Sequence, residues 1–165
     1  MSNRNLIRVS VCFCLFVVFS AVSPAAAEGN LTKVSGKVTS ILYTTNCPSP
    51  VQVCGTGPIT GSLNGTLTAI AQSINPVTRN GNVVAVTFNG TGTITTTTGT
   101  LAFTIFDYQQ LSTMNQKVVI TITGGTGAFA STFGWIYMVT DPNAPQDGNE
   151  HFTYKGILIT KEHTH

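Results

Sequence analysis

Apolar and polar residues alternate with a period of two along much of the chain, which is the pattern of half-buried β-strands. The clearest case is residues 118–123, where Val118, Ile120 and Ile122 share one face and the residues between them share the other. Residues 101–106 form another strongly apolar strand. No segment has a convincing helical period, so the pattern predicts an all-β protein.

The alternation and the turn signals between the segments predict about eight strands. Turns or connections are expected at residues 75–81, at Asn89-Gly90, at residues 111–117 and at the long loop 141–150. The strands are expected at residues 31–45, 59–74, 83–88, 91–98, 101–106, 118–123, 135–139 and 152–160. Because the last strand can pair with the first, we predict an eight-stranded antiparallel barrel, with a β-sandwich as the alternative.

One predicted strand, residues 59–74, has a face of small side chains. Small inward residues are used by barrels that taper or hold a ligand, although they also occur where two sheets approach closely. The residues of that face are Leu63, Gly65, Leu67, Ala69 and Ala71.

The most distinctive motif is the glycine-rich segment that follows residues 118–123. Glycines supply positive φ angles and allow a close backbone approach, so the motif predicts a tight, bulged hairpin turn. A phosphate-binding loop is disfavoured, because the segment has no lysine and a strand follows it instead of a helix. The motif consists of Gly124, Gly125, Thr126 and Gly127, then Phe129 and Gly134.

This GGTGxF motif resembles the signature of the dirigent and allene oxide cyclase-like barrel superfamily. The resemblance implies a secreted or plastid eight-stranded antiparallel barrel, often a trimer, that holds a small hydrophobic molecule in its lumen. It also implies that such a protein can steer coupling or cyclisation of the molecule without a cofactor. Plant dirigent sequences carry an arginine soon after the motif phenylalanine, whereas this chain has Ala130, Ser131 and Thr132 there.

Residues 1–27 have the pattern of a secretory signal peptide. Arg4 and Arg8 precede an apolar run, and Ala25-Ala26-Ala27 forms a small-residue cleavage site. We therefore expect a secreted or periplasmic protein with one domain, residues 28–165. The apolar run is too short for a membrane anchor, and no later segment is apolar enough to span a membrane.

Removal of the leader would change both the charge and the cysteine count. The chain has 8 basic and 6 acidic residues, and loss of Arg4 and Arg8 leaves six of each. A neutral protein without a basic stripe is not expected to bind nucleic acid. Cys47 and Cys54 would be the remaining cysteines, and we predict a disulfide between them; half of a zinc site is the weaker alternative.

Two side chains are candidates for catalysis. Asp107 follows Leu101, Phe103 and Ile105 on one face of a strand, so it would point inward at the rim of a barrel, where burial raises a carboxyl pKa. A solvated, strand-terminal aspartate is the alternative. His151 could act as a general base, or be an ordinary histidine at a strand end; no nucleophile motif supports it.

The sequence indicates neither a cofactor nor a metal site. His163, His165 and His151 could be considered as metal ligands, but a histidine pair at a chain terminus is more typical of adventitious metal binding. Asn30, Asn64 and Asn89 lie in N-x-[ST] triplets that a glycosylating host could modify.

The leading hypothesis is an exported barrel that binds a small hydrophobic ligand, and a non-catalytic structural or interaction protein is the alternative. Aromatic and aliphatic side chains are the expected walls of the ligand site. The wall residues we predict are Phe103, Ile105, Tyr108, Phe129, Trp135 and Tyr137.

Overall fold

The computed structural model describes residues 29–161. The predicted leader and the two tail histidines lie outside the described residues. Within residues 29–161, eight antiparallel strands form one closed barrel, and each strand pairs with the next one in sequence. The strands are β1 (Gly29–Tyr43), β2 (Cys54–Gly61), β3 (Gly65–Arg79), β4 (Asn82–Thr96), β5 (Thr100–Gln110), β6 (Gln116–Gly125), β7 (Thr132–Thr140) and β8 (Glu150–Lys161).

The barrel is closed by pairing of the last strand with the first, as the sequence predicts. The register runs without interruption from the Gly29–Lys161 pair to the Ser40–Glu150 pair. A closed ring leaves no strand edge unpaired, which decides for the barrel and against the open-edged sandwich.

The sequence divides two regions into strands incorrectly, and the two errors have opposite effects on the number of strands. Residues 59–74 are two strands instead of one, because Gly61 adopts φ +104° and its N–H donates to the side chain of Asn64, which makes a turn. The segments 83–88 and 91–98, which the pattern predicts as two strands, belong to the single strand β4, except that β4 ends at Thr96. The predicted count of eight strands is still correct, because one predicted strand is two strands and two predicted strands are one.

The dipeptide Asn89-Gly90 is not a hairpin turn. Both residues lie within β4, and Gly90 pairs with Ala71 on one side and Ile105 on the other. A Cβ atom on Gly90 would collide with the carbonyl oxygen of Ile70, so glycine is needed there for close strand approach. The turn of this hairpin is Asn80-Gly81, where both residues have positive φ angles.

One half of the barrel interior is packed with side chains. Gly92 leaves room for the Phe103 ring, since a Cβ atom at position 92 would overlap that ring. The Tyr154 hydroxyl accepts a hydrogen bond of 3.0 Å from the Leu63 N–H, which ties β8 to the β2–β3 turn. The other buried side chains of this closed half include Ile94, Leu101, Ile120, Ile122, Ile136 and Leu158.

The glycine-rich motif spans the end of β6, the β6–β7 connection and the start of β7 at this closed end. It contains a single 3₁₀ turn, Gly127–Phe129, and the partly buried Phe129 side chain packs against the core. The Gly127 φ angle is +60°, and a Cβ atom there would collide with the carbonyl oxygen of Thr98. Gly124 differs, because a Cβ atom on it would meet nothing within 4 Å.

Candidate functional site

The other half of the barrel interior is an open, mainly apolar cavity of about 430 Å³. It opens where β1, β3, β5 and β7 end and their connecting loops begin. The small face of β3 forms one wall, as the sequence predicts, through Leu67, Ala69 and Ala71. The other apolar walls come from Val38, Leu42, Val53, Phe88, Ile105, Met114, Val118, Met138 and Phe152.

The loop between β1 and β2 is fixed at the mouth of this cavity. The predicted disulfide between Cys47 and Cys54 is confirmed. Within the loop, the buried Ser49 hydroxyl donates a hydrogen bond to the Ala71 carbonyl oxygen on β3. The disulfide and this hydrogen bond hold Val53 in position as part of the wall.

Asp107 lines the cavity, and it lies within β5 instead of at the end of the strand. Burial and then the nearby Glu150 carboxylate raise the pKa of Asp107 to about 7. Among the described residues, Asp107 Oδ1 is a buried oxygen that has no hydrogen-bond partner. A buried polar atom without a partner is uncommon in folded proteins and marks a place where a ligand group can bind.

Glu150 is a second acid in the cavity wall, and the sequence interpretation missed it. Burial raises the pKa of Glu150, while hydrogen bonds from Gln116 and Ser40 act in the opposite direction. The Gln116 side-chain amide donates to Glu150 Oε1 at 2.5 Å. The sequence pattern predicts that Glu150 lies in the loop 141–150, although its spacing of two from the apolar Phe152 is a signal for an inward side chain.

His151 lies outside the cavity wall, because it follows Glu150 on the strand and faces the other way. Its Nε2 is 2.8 Å from Asp147 Oδ1, and its Nδ1 is 3.3 Å from the Thr39 hydroxyl. The hydrogen bond to His151 is the main reason that the pKa of Asp147 falls to about 2. His151 lines a separate depression of about 480 Å³ between the loops at residues 111–115 and 141–149.

This depression leads into the cavity, since the two share Met114, Gln116 and Glu150 among their wall residues. Met114 is 59% exposed at the mouth. The two loops therefore flank the approach to the acidic side of the cavity.

The predicted wall residues separate into three groups. Ile105 lines the cavity, whereas Phe103 and Phe129 belong to the packed, closed half. Tyr108, Trp135 and Tyr137 alternate with inward residues and therefore lie on the outer face; Trp135 is 47% exposed. Their aromatic character suggested a lumen wall, but strand parity decides the face.

The described residues contain no group of three or more His, Cys, Asp or Glu side chains that could hold a metal ion. In the same part of the chain, no helix is long and apolar enough to cross a membrane.

No protein-family model matches the chain, and no curated protein matches its sequence. The resemblance to the dirigent and allene oxide cyclase-like barrels therefore rests on the glycine-rich motif.

Proposed function

We propose that this protein is an exported barrel that binds a small hydrophobic molecule in its lumen. The observation that carries the proposal is the cavity of about 430 Å³, whose wall is mainly apolar and contains a few polar groups. Ligand sites in proteins have this size and this mixture of apolar walls and few polar groups. The motif resemblance, in which related barrels hold such molecules, supports the same function.

The cavity wall also contains a group suited to acid–base chemistry on the bound molecule. A carboxyl group whose pKa is about 7, as for Asp107, can give or take a proton near neutral pH. The surrounding apolar wall would exclude water and hold a flexible molecule in one conformation. We therefore propose that any catalysis is a cofactor-free coupling or cyclisation, in which Asp107 is the proton-transfer group.

Binding can be tested with the neutral fluorophore N-phenyl-1-naphthylamine, whose emission rises in apolar surroundings. We expect saturable binding to the wild-type protein and a loss of about tenfold or more in affinity for Ala69→Phe, because the larger side chain fills the cavity. Ala102→Phe is the matched control, since Ala102 lies on the exposed outer face of β5.

Equal affinity of the wild-type protein and a folded Ala69→Phe variant would overturn the lumen as the binding site. Absence of saturable fluorophore binding to the folded wild-type protein would overturn the binding function itself.

The outer face of β5, β6 and β7 favours a second candidate, a structural or interaction protein. Phe106 pairs with Val119, and Val119 with Tyr137, so three apolar side chains form one row across the three strands. Phe106 and Val119 are 45% and 39% exposed, and Trp135 lies beside this row. Contiguous exposed apolar surface of this kind is typical of protein interfaces, and a second copy of the chain is the partner we propose.

A further inference from the structure

The acids of the cavity have no basic counterpart within it. Asp107 and Glu150 are the titratable side chains among the residues of its wall, and that wall contains no lysine, arginine or histidine. An ionised carboxylate in apolar surroundings is costly unless a positive charge or hydrogen-bond donors pair with it. The cavity is therefore complementary to a ligand that brings positive charge.

The two acids are not equally provided with partners. Glu150 accepts from the Gln116 amide and is bonded to Ser40 as well. Asp107 has the buried Oδ1 atom with no partner among the described residues. The unused acceptor thus belongs to Asp107, on the wall formed by β5.

The other charged groups near the mouth lie outside the cavity wall. Lys117 is exposed on the outer face of β6. Asp141 is paired with Lys37 on the outside, at 3.2 Å, and Asp147 is paired with His151. The polar wall residues on the strands around Asp107 are Gln109 on β5, Asn89 on β4, Gln116 on β6 and Glu150 on β8, and none of them carries a positive charge. Nothing in the wall thus neutralises Asp107.

From this arrangement we propose that the ligand is an apolar molecule that carries a protonated amine, with its ammonium group bound by Asp107 and Glu150 and its apolar part against Ala69, Ala71 and Val118. The proposal rests on the lumen binding proposed above and adds the chemical class of the ligand. An ammonium group supplies both a positive charge and N–H donors, and charge-assisted hydrogen bonds of this kind are the stronger ones. A carboxylate ligand is disfavoured because it would place a third negative charge in the same apolar space.

The test compares three ligands with the same alkyl chain, which are 1-octylamine, 1-octanol and octanoate. Each is used to displace N-phenyl-1-naphthylamine at pH 8. We expect the affinity for the amine to be at least about tenfold higher than the affinity for the alcohol, and the affinity for octanoate to be the lowest. The double variant Asp107→Asn, Glu150→Gln should remove the preference for the amine while keeping the affinity for the alcohol. Asp147→Asn, which changes an acid outside the cavity wall, should keep the preference.

A second readout needs no variant. Titration calorimetry at pH 6 in buffers of different ionisation enthalpy should show proton release when octylamine binds, because the ammonium group stabilises the ionised form of the carboxyls. Octanol should release no protons.

The outcomes separate this proposal from the binding function. If octanol binds in the lumen as tightly as the amine, or if the double variant keeps the amine preference, the ligand class is wrong and lumen binding stands. If the fluorophore binds in the lumen but 1-octylamine does not displace it, the ligand class is wrong and lumen binding stands. If the fluorophore does not bind to the folded wild-type protein, both proposals fall.

Discussion

At the scale of single residues, the two inward acids decide the chemistry of the cavity. Asp107 was placed on the inward face by the alternation of Leu101, Phe103 and Ile105, and the structure puts it in the wall. Its buried surroundings depend on Glu150 and on other side chains far away in sequence, which the local pattern does not contain. The sequence could therefore predict the direction of the side chain, but not its neighbours.

The raised pKa of Asp107 predicts how stability depends on pH. The unfolded value is 3.8 and the folded value is about 7. The folded state therefore holds the proton of Asp107 more tightly than the unfolded state. The contribution of Asp107 to the free energy of unfolding is highest below pH 4 and is lost as the pH rises through 7. The raised pKa of Glu150 acts in the same direction.

We therefore expect Asp107→Asn to be more stable than the wild-type protein at pH 8, by about 2 to 4 kcal/mol, and nearly equal to it at pH 4. Urea unfolding at the two pH values measures the difference. If the two proteins differ in stability by the same amount at pH 4 and at pH 8, the pKa of the Asp107 carboxyl is not raised in the folded protein.

At the scale of elements, the glycine-rich connection between β6 and β7 organises the closed end of the barrel and not the ligand site. A tight turn was predictable from the spacing of Gly124, Gly125 and Gly127. Its contact with the β4–β5 turn was not predictable, because that contact is made by backbone atoms: the Ala128 N–H donates to the Thr98 carbonyl oxygen at 2.9 Å.

Two glycines of this motif make a matched pair. Gly127→Ala should lower the free energy of unfolding by about 1 to 3 kcal/mol, since φ is +60° and the added Cβ atom would collide with the Thr98 carbonyl. Gly124→Ala should change it by less than about 0.5 kcal/mol, because open space surrounds that position. Chemical unfolding of both variants measures this, and equal losses would contradict the assigned turn geometry.

The Asn-Gly dipeptides show a limit of local signals. Asn80-Gly81 is a turn, whereas Asn89-Gly90 lies within β4. Both have the residue types that favour a turn. The difference is that strands β3 and β5 continue to pair on either side of the second dipeptide, so tertiary pairing overrides its local preference.

The loop closed by the disulfide contributes both to stability and to the wall of the cavity. Replacing Cys47 and Cys54 by serine should lower stability by about 2 kcal/mol, because the unfolded chain gains freedom when the short loop is opened. It should also weaken fluorophore binding, since Val53 would lose its fixed place in the wall. Thermal unfolding and the binding titration measure the two effects, and unchanged binding would show that the loop does not shape the cavity.

At the scale of the whole molecule, the closed barrel followed from the strand count and from the capacity of the last strand to pair with the first. The assignment of aromatic side chains to the lumen did not follow in the same way. Trp135 and Tyr137 lie outside because the buried Ile136 and Met138 on the same strand occupy the inward positions. Both faces of this strand carry apolar side chains, so the alternation alone does not show which of them turns inward.

The outer apolar row predicts self-association. We expect the wild-type protein to form oligomers in sedimentation experiments, and the double variant Phe106→Thr, Trp135→Thr to shift toward the monomer, because both side chains are exposed on the outer face. Fluorophore binding should be unchanged in the variant. If the wild-type protein remains monomeric at high concentration, this face is not an interface between copies of the chain.

The measurement that tests lumen binding most directly is a set of intermolecular nuclear Overhauser effects between bound N-phenyl-1-naphthylamine and the methyl groups of the protein. Val118 and Val119 are neighbours in sequence, but Val118 lines the cavity and Val119 is exposed on the outer face. The proposed function predicts contacts from the fluorophore to the methyl groups of Val118, Ala69 and Ala71, and none to Val119. Contacts to Val119 without contacts to Val118 would place the ligand on the outside of the barrel and contradict the proposed function.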